Sequence, residues 1–226
     1  MTLSDVYLDL LERHGPQGWW PLRAQRDASA AAGSLLARGY HPGRYAPPTS
    51  PQGCFEIAVG AILTQNTAWT NVERALENLA VLEALSCEAL LSCPLPELAQ
   101  AIRPSGYYNT KARKLRELAG FLQPILKRDD WKTRPPSRAA LLEVWGIGPE
   151  TADSIRVYAF GCLEMVVDTY TRRILHAHGF CPEDITYAPL KALCEAAIPA
   201  TIEDYQEFHA LMVCEGKNRS RNRNFL

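Results

Sequence analysis

Residues 142–152 read Leu-Glu-Val-Trp-Gly-Ile-Gly-Pro-Glu-Thr-Ala, and they set the architecture of the chain around them. Leu141, Leu142 and Val144 fall at helical spacing, so a helix is expected to end near Val144. Gly146 and Gly148 permit a tight turn, because glycine adopts positive φ without a side-chain clash. Pro149 suits the first position of a following helix, where its missing N–H costs nothing. The pattern predicts a helix, a hairpin turn and a second helix. Free N–H groups at the start of that second helix, with its dipole behind them, favour an anion such as phosphate. The same turn also serves as a plain corner between helices, without a ligand.

Further along, residues 166–173 read Val-Val-Asp-Thr-Tyr-Thr-Arg-Arg. Asp168 follows two β-branched apolar residues and precedes a helical pattern, which is the place of an N-cap. Beside a phosphate-binding hairpin, the same aspartate could face a DNA sugar. Helical periodicity extends through nearly the whole chain. Leu3, Val6, Tyr7, Leu10 and Leu11 form one stripe, and Phe55 to Ile62 begins a mostly buried helix. Val72, Ala75, Leu76 and Leu79 mark another, and Leu115, Leu118, Ala119 and Leu122 a further one that Pro124 kinks or ends. Ile174 with Leu175, Leu190 with Leu193, and Phe208 with Leu211 and Met212 complete the set. No run alternates with the period of a strand, so the class is all-α. Residues 41–53 (HPGRYAPPTSPQG) and 129–137 (DDWKTRPPS) read as loops, and the polar tail NRSRNRNFL as a frayed end.

The composition fits an ordinary globular chain. Its 226 residues, 47% hydrophobic and 22% charged, allow one large domain or two small lobes. No apolar run is long enough to span a bilayer, and the acidic, amphipathic first residues do not resemble a signal peptide, so a soluble intracellular protein is expected. The seven cysteines are scattered and no CxxC pair occurs, which argues against a zinc site or a disulfide framework and for small core residues. A net charge of −1 does not by itself point to nucleic acid. Local basic clusters do occur: Lys111, Arg113, Lys114 and Arg116; Arg172 and Arg173; Lys217, Arg219, Arg221 and Arg223. They can serve as phosphate-binding patches or as solvated faces.

The pairing of LLEVWGIGPETAD with VVDTYTRR resembles the helix–hairpin–helix DNA glycosylases of the endonuclease III superfamily. Phe55-Glu56-Ile57 through Ile62-Leu63-Thr64-Gln65-Asn66-Thr67 resembles that family's first core helix and the loop after it. The likeness runs from about Phe55 to Gly216. It implies two helical lobes with the active site in the cleft between them: residues 55–150 as one lobe ending in the hairpin, and residues 1–54 with 151–226 as the other. It further implies that Gly146, Ile147, Gly148 and Thr151 grip duplex DNA, helped by Gln65, Asn66 and Arg172. The target nucleotide is flipped out, and Asp168 is the catalytic aspartate.

Two departures narrow the family. Bifunctional members carry a lysine in the second hairpin helix that attacks C1′ and later cleaves the strand. Glu150 stands there instead, and a glutamate cannot form a Schiff base; an acid is also favoured in the first turn of any helix. Many members end in four closely spaced cysteines that hold an iron–sulfur cluster, whereas Cys214 is the sole candidate here, so no cluster is expected. This combination, with TQNT after the first core helix, resembles the MagIII-type 3-methyladenine DNA glycosylases. By that resemblance Trp19, Trp20 and Pro21 line the base pocket, with Tyr40, or its rival Tyr45, as a further aromatic. Electron-rich rings attract a cationic 3-methylated purine by about 0.5–2 kcal/mol each, although two adjacent tryptophans also suit lobe packing.

The branch carries a C-terminal lysine that can be carbamylated, and Lys217 matches it; a solvated lysine near a helix end is the plain alternative. His209 reads as structural. A monovalent cation at the hairpin, a monomer, no membrane partner and a cytoplasmic, nucleoid-associated location complete the expectation. Competing readings are an endonuclease III-like or mismatch glycosylase, and a non-catalytic helix–hairpin–helix module that binds duplex DNA.

Overall fold

The computed structural model describes residues 1–221, with the backbone alone at Arg221. Eleven α-helices and no strand occur among the described residues, as the periodicity requires. They are α1 (Leu3–His14), α2 (Pro51–Leu63), α3 (Trp69–Val81), α4 (Cys87–Ser92), α5 (Leu95–Ala101), α6 (Tyr108–Leu126), α7 (Arg138–Leu142), α8 (Pro149–Ser154), α9 (Thr169–Ala177), α10 (Tyr187–Ala197) and α11 (Ile202–Arg221). No described helix is long and apolar enough to cross a membrane.

The chain divides into two compact units, Pro47–Phe160 and Met1–Ala46 with the chain from Gly161 onward. The lobe boundary expected at residue 150 would cut through α8. It falls after Phe160 because α8 and the wide turn Ile155–Ala159 that continues it both pack on α2. At the other end the unit starts ahead of Phe55, since Ser50 caps α2 through the Gly53 N–H and Pro51 opens the helix.

In the middle unit α2 is the central element. Every residue from Phe55 to Leu63 except Glu56 is buried, and a helix apolar on all sides can be satisfied only inside a core. It packs against α3, α6 and α8. Pro124 does not end α6, which runs two residues further to Leu126; so near a helix terminus little ladder remains to break.

In the other unit α1, α9, α10 and α11 enclose one core. Leu3, Val6, Tyr7 and Leu10 meet Ile174, Leu175, Leu190, Cys194, Phe208, Leu211 and Met212. None of the seven cysteines forms a disulfide among the described residues, and Cys54, Cys87, Cys181 and Cys194 are buried as small core residues. The expected fraying does not begin at Asn218, because α11 continues to Arg221. The rest of that expectation, and Arg223 of the basic tail, lie outside the described residues.

Candidate active site

The hairpin joins α7 to α8 within the middle unit. Gly146 has φ +89°, and a Cβ there would stand 2.4 Å from the Lys114 side chain. Gly148 departs from the expected positive φ. It is the N-cap of α8 with φ −94° and ψ 177°, an extended backbone open to any residue. What glycine supplies at this position is space, since nothing lies within 4 Å of where a Cβ would stand. Ile147 is buried beneath the turn, whereas Trp145 is exposed.

Polar side chains tie the hairpin to its surroundings. Arg138 grips the fully buried Asp153 with Nε at 2.6 Å from Oδ1 and Nη2 at 3.3 Å from Oδ2, tying α7 to α8. Gln65, from the loop after α2, donates through Nε2 to the Gly146 carbonyl (3.2 Å) and to Thr151 Oγ1 (3.1 Å). Lys114 Nζ donates to Gln65 Oε1 at 2.6 Å. An ammonium only donates and a carbonyl only accepts, so the amide orientation is fixed by its partners. The Gln65 side chain is thereby engaged with the hairpin. Asn66, exposed and at φ +54°, is the member of the pair turned outward. Glu150 is exposed in the first turn of α8.

The cluster on α6 is not the free phosphate patch that its charge allowed. Lys111 is buried and donates to the carbonyls of Leu63 (2.8 Å) and Ser105 (2.7 Å). Burial, with Lys114 nearby, pushes its pKa down to about 8. Lys114 serves Gln65, and Arg116 donates to the Cys93 carbonyl. Arg113 is exposed.

The other unit carries Asp168. It is the N-cap of α9, and its Oδ1 accepts from the Thr171 N–H (2.8 Å) and hydroxyl (2.9 Å), while Thr171 Oγ1 accepts from the Asp168 N–H (3.3 Å). The cap uses one carboxylate oxygen. Oδ2 has no hydrogen bond to a described residue, so capping and chemistry are compatible in the same side chain.

His209 of α11 is buried, and burial pushes its pKa down against the pull of the Asp168 carboxylate, with Lys217 pushing the same way as burial. The ring is therefore neutral at pH 7. Trp19 meets His209 edge to face, with centroids 5.4 Å apart and planes at 80°. Trp20 lies at 6.0 Å and 76° from Trp19. Lys217 Nζ stands 5.9 Å from the centroid of the Trp19 ring. Gly216 lets α11 approach α9, since a Cβ there would be 2.2 Å from Cδ1 of Tyr170.

Asp168, Trp19 and Lys217 thus gather around His209, the residue that sequence reading set aside as structural. Trp20 and Pro21 are buried behind Trp19 in the chain, and the Trp20 carbonyl is 2.9 Å from His41 Nε2. Tyr40 is buried with the Arg38 guanidinium 5.5 Å from its centroid, so a cation already lies over that ring. Tyr45 is half-buried, and burial and the nearby Glu207 carboxylate raise its pKa. Arg172, half-buried one turn into α9, forms no ion pair with a described residue.

Sequence reading did not single out Glu207. It is buried on α11 and accepts the backbone N–H groups of Gln17 and Gly18. Its partners lie near the opposite end of the chain, and no local pattern announces them.

A hairpin of this build in one unit, and a helix-capping aspartate in the other, belong to an all-α helix–hairpin–helix chain. The chain belongs to the HhH-GPD superfamily of base excision DNA repair proteins, whose family model matches residues 59–200. It is a DNA glycosylase of that superfamily. A putative DNA repair glycosylase of Methanocaldococcus jannaschii is 35% identical over 215 residues, covering 92% of this chain and 84% of that protein. Among solved structures, the 3-methyladenine DNA glycosylase MagIII of H. pylori, bound to 1,N6-ethenoadenine, superposes with a TM-score of 0.70 at 27% identity, covering 96% of this chain and 95% of that one. A trapped endonuclease III–DNA covalent intermediate gives a TM-score of 0.62 at 26% identity, covering 73% and 74%.

Proposed function

We propose that this glycosylase hydrolyses the N-glycosidic bond of alkylated purines, 3-methyladenine foremost, and leaves the strand intact. The observation that carries the reading is the Trp19 indole standing against a neutral His209, with the Asp168 carboxylate close enough to act on that same imidazole. An indole face attracts a cationic base, and a neutral imidazole beside it adds no competing charge.

The substrate in this reading is duplex DNA bound by a monomer. The hairpin N–H groups at Gly146 and Gly148 hold a phosphate, with buried Ile147 seating the turn, Thr151 in support and a monovalent cation bound at the turn. Arg172 adds a backbone contact, and Asn66 fills the gap left in the stack. Flipping a damaged base costs a few kcal/mol, less than for a well-paired one. Trp19, Trp20, Pro21 and Tyr40 enclose the base, with Tyr45 bracing the segment that carries them.

As the bond to C1′ breaks, Asp168 Oδ2 stabilises the oxocarbenium charge and deprotonates the attacking water. A cationic base leaves without an acid to protonate it. Glu150, where a lysine would form a Schiff base, makes the enzyme monofunctional. Carbamylation of Lys217 turns a repelling ammonium over Trp19 into an anion that attracts a cationic base. No iron–sulfur cluster belongs to this reading, because one thiol on α11, Cys214, cannot hold one. The protein acts on the nucleoid in the cytoplasm.

The test is incubation with methylated duplex DNA, identification of the released base, and a search for strand breaks before and after alkali. Free 3-methyladenine with breaks only after alkali is the expected result. Release of an oxidised or mispaired base instead would transfer the protein to the endonuclease III-like class. No release from any damaged duplex would leave a binding module.

A further inference from the structure

The segment between α1 and α2 carries Trp19, Trp20, Pro21 and Tyr40, yet its only regular pieces are single 3₁₀ turns at Arg23–Gln25 and Leu36–Arg38. The segment closes on itself through backbone bonds such as the Leu22 N–H to the Gly39 carbonyl and the Asp27 N–H to the Leu36 carbonyl, but the Gln17 and Gly18 amides at its start take an acceptor from elsewhere. One buried acid of α11 supplies it. Glu207 accepts from the Gln17 N–H with both oxygens, at 2.8 and 3.1 Å, and from the Gly18 N–H at 3.2 Å. The Tyr45 hydroxyl turns to the same carboxylate from the far end of the segment.

The crossing at this point is tight. Gly18 has φ +66°, a Cβ on it would stand 2.2 Å from the Pro42 nitrogen, and its carbonyl accepts from the His41 N–H at 3.0 Å. Trp19 is the next residue, and its ring meets His209, two positions beyond Glu207 on the same helix. Burying a carboxylate is unfavourable unless hydrogen bonds replace its water. An apolar residue would suit this face, as it does at Phe208 and Leu211 beside it. The two amides explain why an acid stands there.

We propose that Glu207 is a positioning residue for base recognition: by holding the Gln17 and Gly18 amides, it fixes the backbone from which the Trp19 indole reaches His209 and Lys217. The inference rests on the reading of Trp19 as a base-pocket aromatic, and it gives α11 two grips on that residue, one through the main chain and one through the ring.

The test compares Glu207→Gln, Trp19→Phe and the double variant. Glu207→Gln is expected to slow single-turnover release of the alkylated base by about 10–100-fold. Affinity for a duplex carrying a tetrahydrofuran abasic analogue should stay at the wild-type level, because the hairpin is untouched. The near-UV circular dichroism of the tryptophans should change. The double variant should be no slower than Trp19→Phe alone, since both remove one interaction. Additive losses, or an unchanged tryptophan signal with unchanged rate, would overturn the proposal. If Glu207→Gln does not fold, hydrogen exchange on the wild type decides: strong protection of the Gln17 and Gly18 amides supports it, and exchange at open-loop rates refutes it. Should methylated DNA release no base at all, the substrate reading fails, while the exchange and dichroism results still judge the positioning.

Discussion

The hairpin of the middle unit and the aromatic segment of the other unit are held in opposite ways. Most of what shapes the hairpin lies within its own 17 residues: the positive φ of Gly146, the buried Ile147, and Arg138 closing on Asp153 across 15 positions. Gln65 and Lys114 reach it from farther away. The start of the aromatic segment is held by Glu207, which is 190 positions from Gln17 and 189 from Gly18. A local device survives as a motif across many chains. A device built on one remote acid is particular to its fold, and it gives a place where the pocket can be altered without altering the DNA grip.

The largest expected effect falls on neither support but on the chemistry. Asp168→Asn should lower base release by on the order of 10³-fold while leaving DNA affinity intact, as measured by single-turnover release and by titration with an abasic-analogue duplex. Asparagine caps helices about as well as aspartate, so α9 should remain folded. Near-normal release would remove Asp168 from the mechanism. Gly18→Ala comes next and strikes the remote support. A Cβ driven into the Pro42 backbone at positive φ should cost about 1–3 kcal/mol in urea unfolding, with base release falling more than DNA affinity.

Gln65→Leu is the converse. It leaves the Gly146 carbonyl, the Thr151 hydroxyl and Lys114 without their partner, and should cost about 1–3 kcal/mol in urea unfolding, with duplex affinity falling for every duplex alike. If Gln65→Leu altered base release and Gly18→Ala altered only affinity, the division drawn here would be reversed.

The smallest effect separates two buried acids on one helix. Burial pushes Glu207 up. Burial would also raise Glu215, but hydrogen bonds from Arg219, His14 and Arg13 overcome it and hold the carboxyl at about 2. A lowered folded pKa contributes stability that is present above the unfolded value near 4.5 and is lost as pH falls toward 2. Glu215→Gln should therefore cost about 1–2 kcal/mol at neutral pH, after allowance for solvent screening, and the gap to wild type should close by pH 2 to 3 in urea titrations. Glu207 has the opposite sign. Its folded form holds a proton more tightly than the unfolded chain, so its contribution declines as pH rises from 4.5 through its folded pKa, and Glu207→Gln should flatten that slope. Parallel pH profiles for the two variants would contradict the contrast.

Much of the fold was legible in advance, for a local reason. Helical stripes such as Leu3, Val6, Tyr7 and Leu10, the proline that opens α8 and the aspartate that caps α9 act within about one turn of chain. Gly148 shows the limit of that reasoning. It was expected to supply positive φ, but its backbone is extended and its contribution is open space, a property of the surroundings rather than of the residue. The cluster Lys111, Lys114 and Arg116 shows the same limit for charge. The residues sit together in sequence as a patch, and in the fold each turns to a separate internal acceptor.

By itself the sequence determined the all-α class, the hairpin, the capping aspartate and, through them, the family. Tertiary structure alone decided that His209 stands neutral against Trp19, that Gln65 belongs to the hairpin and that Glu207 holds the aromatic segment. The division has a physical cause. Helices and caps satisfy their hydrogen bonds among near neighbours, so their residues announce them. Amides outside a helix, such as those of Gln17 and Gly18, go to whichever acceptor the folded chain brings within about 3 Å, and that choice is made only when the remote parts have met.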